Sequence, residues 1–399
     1  SQGRKKMKNL FKSRLVASLM TGLVSTASAA DYVLKYGHVG PVTSDDQVPG
    51  EFLKSFLESR SGGRISVEIY PGAQLGNFRD MIEQVQLNTL ELTHTTVGGI
   101  ASFFPELQVT DIPYMMAGDS IAEHIAQSSF FDEAREAILA KTGNVRLVAV
   151  GNTGRWRNFF TSEGLIKSAD DMKGVKMRTI NSPLQIEFIK SLGGNPTPVA
   201  WGELYTSLQT GVVEGTKNAA TDIVPTKMYE VVKYVTLDEH AYLFAFWWMS
   251  DAWLKSLPDD LQDLVIDGVQ QASMIQSDWN KEYDARALKE FQGFGGTVYV
   301  PTPEEKATFI VARDKMKVWF KDKYGEEWLN KFEKAVADAE AAVASRNARI
   351  LGKLSSKVKA RPLAWLFSIY FLVAIVSYYV LRKNHSYYGS FRWHRRRTG

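Results

Sequence analysis

The sequence predicts an α/β fold of two lobes joined by a hinge, followed by long helices, and three observations carry that prediction. Apolar runs of period two alternate with amphipathic helical stretches over residues 32–241, the pattern of parallel βαβ units. A dense apolar-aromatic run at residues 243–249 comes after the second group of such units and reads as a strand returning to the first lobe. From residue 256 the pattern is helical almost to residue 354, broken only near residues 293–303.

The elements follow in order. Residues 32–39 alternate as a strand that Gly40-Pro41 ends. Residues 52–59 read as a helix, 65–70 as a strand, 78–88 as a helix and 90–95 as a short strand before a break at Gly98-Gly99. A helix over 123–141 precedes a buried strand at 145–150. The second lobe opens near Ala169. Its most informative stretch is residues 172–218, MKGVKMRTINSPLQIEFIKSLGGNPTPVAWGELYTSLQTGVVEGTKN. The run Val175-Lys176-Met177-Arg178-Thr179-Ile180 suits a half-buried strand. An amphipathic helix, a Gly/Pro-rich turn, a helix over 203–209 and a strand-like unit at 211–215 complete it. Arg178 stands at the end of the first strand and Asn218 just past the last, where the loops of α/β folds build ligand sites.

Composition narrows the function. The 399 residues are 45% hydrophobic, enough for a large core or two lobes. There is no cysteine, hence no disulfide, Cys-ligated metal or lipid-modified Cys. The net charge of +4 hides two basic ends: residues 1–30 carry six Lys/Arg and residues 345–399 carry twelve, with no acid in either. The remaining body, 31–344, holds 30 Lys/Arg against 44 Asp/Glu, which argues against nucleic acid as a partner. An anionic ligand must then be held by local arginines. Arg4, Lys5, Lys6, Lys8, Lys12 and Arg14, an apolar run at 15–24 and Ala27-Ser28-Ala29 read together as an export signal over residues 1–30, with Met7 as the natural start. The mature chain is expected in the periplasm.

Residues 363–381, LAWLFSIYFLVAIVSYYVL, are long and apolar enough to span a bilayer, with aromatic residues near both ends. A basic linker, 345–362, precedes this predicted transmembrane helix and a basic tail, 382–399, follows it. An anchor in the inner membrane, a fragment of a fused membrane subunit and a reading-frame artefact remain open as explanations.

Several phrases in order resemble the solute-binding subunit of TRAP (tripartite ATP-independent periplasmic) transporters, the DctP-like family. They are Leu34-Lys35-Tyr36-Gly37-His38, SGGRISVEIYPGAQLG at 61–76, EQVQLNTL at 83–90, Pro113-Tyr114-Met115, RNFFTS at 157–162 and PTPVAWGELYTSLQTGVVEG at 196–215. The resemblance covers most of residues 31–340. It implies a periplasmic-binding-protein (Venus-flytrap) clamshell over 31–344 that binds a small carboxylate and hands it to TRAP membrane permease subunits.

By the same resemblance Arg178 pairs with the ligand carboxylate, a role its planar fork suits. Arg157 is the second cation by its spacing to Ile166, with Arg155 as the alternative. Asn218, forty residues after Arg178, matches the family's asparagine, and Trp201 stands where an aromatic lines the cleft. Phe78 stands where relatives often carry a ligand-contacting Glu, which points to an acid with an apolar or lightly polar body. Phe78, Trp247 and Trp248 suit pocket and core alike.

No enzyme constellation is present. His38, His94, His124 and His240 lack metal-ligand spacing, and there is no nucleophile elbow or phosphate-cradling loop. No cofactor is implied. The reading is an extracytoplasmic receptor for a small organic acid. The rival is a membrane-tethered sensory or scaffold ectodomain that binds such an acid.

Overall fold

The computed structural model describes residues 30–359. The expected export signal, the transmembrane helix at 363–381 and the tail at 382–399 lie outside the described residues. Among the described residues no helix is long and apolar enough to cross a membrane.

The first lobe opens with β1 (Tyr32–Gly37), α1 (Gln47–Arg60), β2 (Ile65–Tyr70), α2 (Phe78–Gln86), β3 (Leu92–Thr95) and α3 (Val97–Ile100). A 3-10 turn at Pro105–Asp111 leads to α4 (Asp119–Ala126), α5 (Ser129–Thr142) and the long strand β4 (Val145–Thr161). The second lobe holds β5 (Lys176–Thr179), α6 (Pro183–Ser191), β6 (Asn195–Pro198), α7 (Leu204–Gln209), β7 (Gly215–Asn218) and α8 (Ala220–Ile223). The long strand β8 (Tyr234–Ser250) runs back, followed by α9 (Asp251–Ser256), α10 (Asp259–Gly293), β9 (Thr297–Tyr299), α11 (Pro303–Tyr324) and α12 (Glu327–Lys359).

The strand order β2-β1-β3-β8-β4-β7-β5-β6 explains the two lobes. β4 and β8 have 17 residues each, about 55 Å of extended chain, so both run through the two lobes. Their antiparallel pairing joins the end of β8 (Phe246–Ser250) to the start of β4 in the first lobe, and its start (Tyr234–Thr236) to the end of β4 in the second. Parallel pairs β1–β2 and β1–β3 extend one lobe, and β5–β6 and β5–β7 the other. Register shifts at Leu147/Ala149, Asn152/Arg155 and Arg157/Phe159 interrupt the shared ladder between the lobes. Such bulges bend a strand and re-aim its side chains.

Helices brace this frame. α10 buries Leu261 and Val265 in the first lobe and Tyr283, Ala287 and Phe291 in the second. Thr302 caps α11, its Oγ1 accepting the Glu305 N–H at 3.2 Å with Pro303 at the first helical position. α11 packs on α6, and α12 on α4 and α5. Phe309, Phe320 and Phe332 join residues of both lobes in one apolar core.

The differences from the sequence reading have local causes. The strand expected at 145–150 continues to Thr161, because Gly151 and Asn152 stay paired with β8 and Thr153 and Gly154 fall in a register shift rather than ending it. Arg157 is therefore a strand residue, not a loop residue. Residues 211–215 form a turn, and the strand is Gly215–Asn218, with Asn218 its last residue. Gly98 and Gly99 do not break the chain; they lie buried in α3. The helix expected over 123–141 is two helices meeting at Gln127-Ser128. α12 is continuous to Lys359, and the last residues of the expected basic linker, 360–362, lie outside the described residues.

Candidate functional site

A cleft lies where the β4–β8 ladder shifts register. It encloses about 610 Å³ free of protein atoms, open mouth included. The first lobe lines it with Asp45, Asp46, Phe78, His94 and Thr96, the second with Arg178, Ile180, Trp201, Asn218, Thr221 and Asp222, and the hinge strands with Thr153, Arg157 and Leu243. The structure thus brings all five sequence-predicted residues, Phe78, Arg157, Arg178, Trp201 and Asn218, to one cavity.

Strand-end geometry places them. Arg178 is the third residue of β5 and only 4% exposed. Its Nε donates to the Val199 carbonyl at 2.9 Å, and its guanidinium carbon stands 5.8 Å from the centre of the Trp201 ring. Among the described residues neither Nη atom has a hydrogen-bond partner, and no carboxylate lies within ion-pair distance. Burial, and then Arg157 beside it, push the Arg178 pKa below its ordinary value, against the pull of Asp222. The two arginines thus concentrate positive charge in a dry place.

Arg157, 3% exposed, donates from Nη1 to the Lys217 carbonyl at 3.2 Å. Its Nε lies 3.7 Å from Asp111 Oδ1 and makes no hydrogen bond. Arg155, the alternative cation, does not line the cleft. It adopts a positive φ of 66° at the hinge bulge and pairs with Asp119 and, at 2.8 Å, with Asp284 on α10. Those carboxylates pull the guanidinium away from the cavity and hold the bulge in a conformation few side chains adopt.

Asn218 ends β7 opposite Asn158 of β4. Its Oδ1 accepts from Thr216 Oγ1 at 2.6 Å and its Nδ2 donates to Asp222 Oδ2 at 2.9 Å. One amide N–H remains for a ligand. Trp201 and Phe78, both half-buried, also pack against the core. Trp247 and Trp248 belong to the core alone: Trp247 stacks between Tyr36 and His94, at 5.4 and 4.9 Å.

Sequence reasoning missed the acidic residues. Asp46 Oδ1 lies 2.8 Å from His94 Nε2, whose Nδ1 meets the Tyr36 hydroxyl at 2.7 Å. Asp45 Oδ2 accepts from Thr153 Oγ1 at 2.8 Å, Asn280 Nδ2 at 2.8 Å and Gln276 Nε2 at 3.1 Å. Asp222 Oδ2 also accepts the Ala219 N–H at 3.1 Å. Carboxylates and a hydroxyl, those of Asp45, Asp46, Asp222 and Thr221, thus line the same cavity as Phe78. The signal was available, since Asp45-Asp46 follow β1 and Asp222 follows β7, both at strand ends where ligand loops gather. Among the described residues no group of acids and histidines could hold a metal ion.

Comparison with known proteins agrees with this architecture. The family model described as DctP, bacterial extracellular solute-binding protein, family 7, matches residues 37–324. A solute-binding protein of Verminephrobacter eiseniae is 31% identical over 279 residues, 70% of this chain and 82% of that protein. The sialic acid-binding periplasmic protein SiaP of Vibrio cholerae is 27% identical over 292 residues, 73% of this chain and 90% of that one. Among solved structures, a TRAP periplasmic solute binding protein of Desulfovibrio salexigens with bound orotic acid is 26% identical. Its TM-score is 0.72, covering 77% of this chain and 99% of that one. The cleft between two α/β lobes is thus the fold of periplasmic binding proteins, and the chain belongs to the DctP family of TRAP transporter solute-binding proteins, receptors rather than enzymes.

Proposed function

We propose that this chain captures a small organic acid in the cleft and presents it, with the lobes closed, to a TRAP-type ion-driven permease. Arg178 receives the carboxylate on its two free Nη atoms. Arg157 supplies the second positive charge and Asn218 its remaining amide N–H. Trp201 packs against the carbon skeleton and Phe78 closes the first-lobe side. One observation carries the reading: the Arg178 guanidinium is buried, faces the cavity and has no acidic partner among the described residues. An unpaired buried charge is unfavourable by several kcal/mol, so it persists where a ligand completes it. A carboxylate fits the fork with two parallel hydrogen bonds.

Relatives support the class. SiaP is named for sialic acid, a relative in Escherichia coli for 2,3-diketo-L-gulonate, and a solved relative from Polaromonas sp. holds D-erythronate. The family is periplasmic in its named members, the compartment expected from the export signal. The test is calorimetric titration of the purified chain with a panel of keto, hydroxy, dicarboxylic and sugar acids, repeated on Arg178→Lys. The wild type should bind at least one acid. The lysine variant should lose about tenfold or more in affinity, because a point charge cannot replace the two-pronged donor. Unchanged affinity in Arg178→Lys refutes the assignment.

A further inference from the structure

The cleft holds a second set of polar atoms that a bare carboxylate does not use. Asp45, 3% exposed, stands on the first-lobe loop after β1, and Asp222, half-buried, on α8 of the second lobe. Each has one oxygen fully engaged: Asp45 Oδ2 by Thr153, Gln276 and Asn280, Asp222 Oδ2 by Asn218 and Ala219. The other oxygen of each, Oδ1, accepts no hydrogen bond among the described residues, and both residues line the cavity. Thr221, 1% exposed and also lining the cavity, has a hydroxyl with no partner. Buried polar atoms are almost always bonded, so the orphaned Thr221 hydroxyl, in one cavity with two carboxylate oxygens that no protein donor occupies, marks groups that a ligand satisfies.

We infer that Asp45, Asp222 and Thr221 form a donor-recognition subsite shared between the lobes, so that the captured acid carries hydroxyl or ammonium groups beside its carboxylate. The inference rests on the carboxylate reading above and goes beyond it, because the arginines alone accept any acid. Phe78 does not make the site apolar, because Asp45 and Asp222 line the same cavity.

The placement also gives closure a requirement. Two carboxylates brought together from opposite lobes repel in a low-dielectric cleft. Burial, then Asp46 and Asp222, push the Asp45 pKa up to about 7, and burial, with Asp46 contributing least, pushes that of Asp222 up to about 6, so the protein already bears part of the cost of holding these acids together. A ligand donor between the two oxygens replaces repulsion with charge-assisted hydrogen bonds. An acid without donors leaves the repulsion in place and binds the closed form less well.

Four six-carbon acids test this by calorimetry at neutral pH: hexanoate, galactonate, 2-aminohexanoate and 6-aminohexanoate. At least one donor-bearing acid should bind about tenfold or more tightly than hexanoate, as hydrogen bonds to charged groups imply. Which acid wins assigns hydroxyl or ammonium as the donor. Asp45→Asn and Asp222→Asn, each checked for cooperative thermal unfolding, should erase most of that margin and leave hexanoate within about threefold. Thr221→Val is the third variant, should either asparagine variant fail to fold. Hexanoate binding as tightly as every donor-bearing acid overturns the subsite, as does an equal loss for all four acids in the variants. Binding of none of the four, while the wild type binds a donor-free acid of the wider panel, overturns the subsite alone; binding of no acid of that panel refutes the carboxylate reading, and the subsite with it.

Discussion

Replacing Arg178 by Met should abolish ligand binding and make the empty protein more stable. The side chain is 4% exposed, and of its donors only Nε is bonded, to the Val199 carbonyl. Removing the guanidinium sacrifices that bond, worth about 1.5–3 kcal/mol for a charged donor. It also relieves a buried charge without a counter-ion, whose desolvation costs several kcal/mol, and ends its repulsion with Arg157. Methionine keeps the apolar stem against Trp201 and fills the space with a flexible chain. The balance favours the variant by about 1–3 kcal/mol in the ligand-free state, the range in which hydrophobic replacements of buried ions stabilise. Binding moves the opposite way. Removing one partner of a buried charge pair costs about 3–5 kcal/mol, a loss of roughly a hundredfold to several thousandfold in affinity. Calorimetry measures the second effect, and urea unfolding of the ligand-free proteins the first. A variant that loses binding and also unfolds at lower urea would refute the reasoning, since Arg178 would then be a structural residue.

Two further perturbations test the cleft from other sides. A Cβ on Gly98 would sit 2.2 Å from Ile180 Cδ1 and 2.7 Å from its Cγ1, across the interface of the two lobes. Gly98→Leu should hold the lobes apart, weaken ligand affinity by about tenfold and leave the empty protein's melting temperature unchanged; small-angle scattering that still shows compaction on ligand addition would exclude this role. Burial, and then Asp46 and Asp222, push the Asp45 pKa from its ordinary 3.8 up to about 7, against hydrogen bonding from Asn280 and the charge of nearby His94. The folded state therefore holds a proton at Asp45 that the unfolded state has released, and the stability this gives is lost as pH rises through about 7. Wild-type stability measured from pH 4 to 7 should accordingly fall relative to Asp45→Asn, and parallel curves for the two proteins would contradict the assignment.

Much of this architecture was legible because it repeats at fixed periods. Alternation marked β1 and β2 almost to the residue, and the helical run after residue 256 resolved into α10, α11 and α12. What stayed hidden was the crossing geometry. A 17-residue strand containing Gly151, Asn152 and Gly154 looks like a short strand followed by a loop. Only pairing with β8 shows that Gly151 and Asn152 continue the ladder and that Gly154 lies in a register shift within it. The site was half legible for a related reason. Arg178, Trp201 and Asn218 stand in the densest motif of the chain, whereas Asp45 and Asp222 look like surface acids. Asp45 is held by Thr153 of β4 and by Gln276 and Asn280 of α10, 108 to 235 positions away in sequence, and Asp222 by Asn218 and Ala219 beside it.

The bulges that misled the sequence reading are also what let the receptor carry its charges. A strand without interruption would pass stiffly from one lobe to the other and alternate its side chains strictly between two faces. The shift at Asn152/Arg155 and the next at Arg157/Phe159 change that alternation. Arg155 turns toward Asp119 and Asp284, and Arg157, two residues on, lines the cleft. The first is neutralised by the frame and ties β4 to α4 and α10. The second is left short of counter-charge, with Asp111 at 3.7 Å and no hydrogen bond to its Nε. The hinge thus spends one arginine on holding its own shape and keeps the other, with Arg178, for an anion brought in from outside. That division predicts opposite phenotypes: loss of Arg155 should loosen the hinge and destabilise the protein whether or not ligand is present, whereas loss of Arg157 should be felt chiefly when ligand binds.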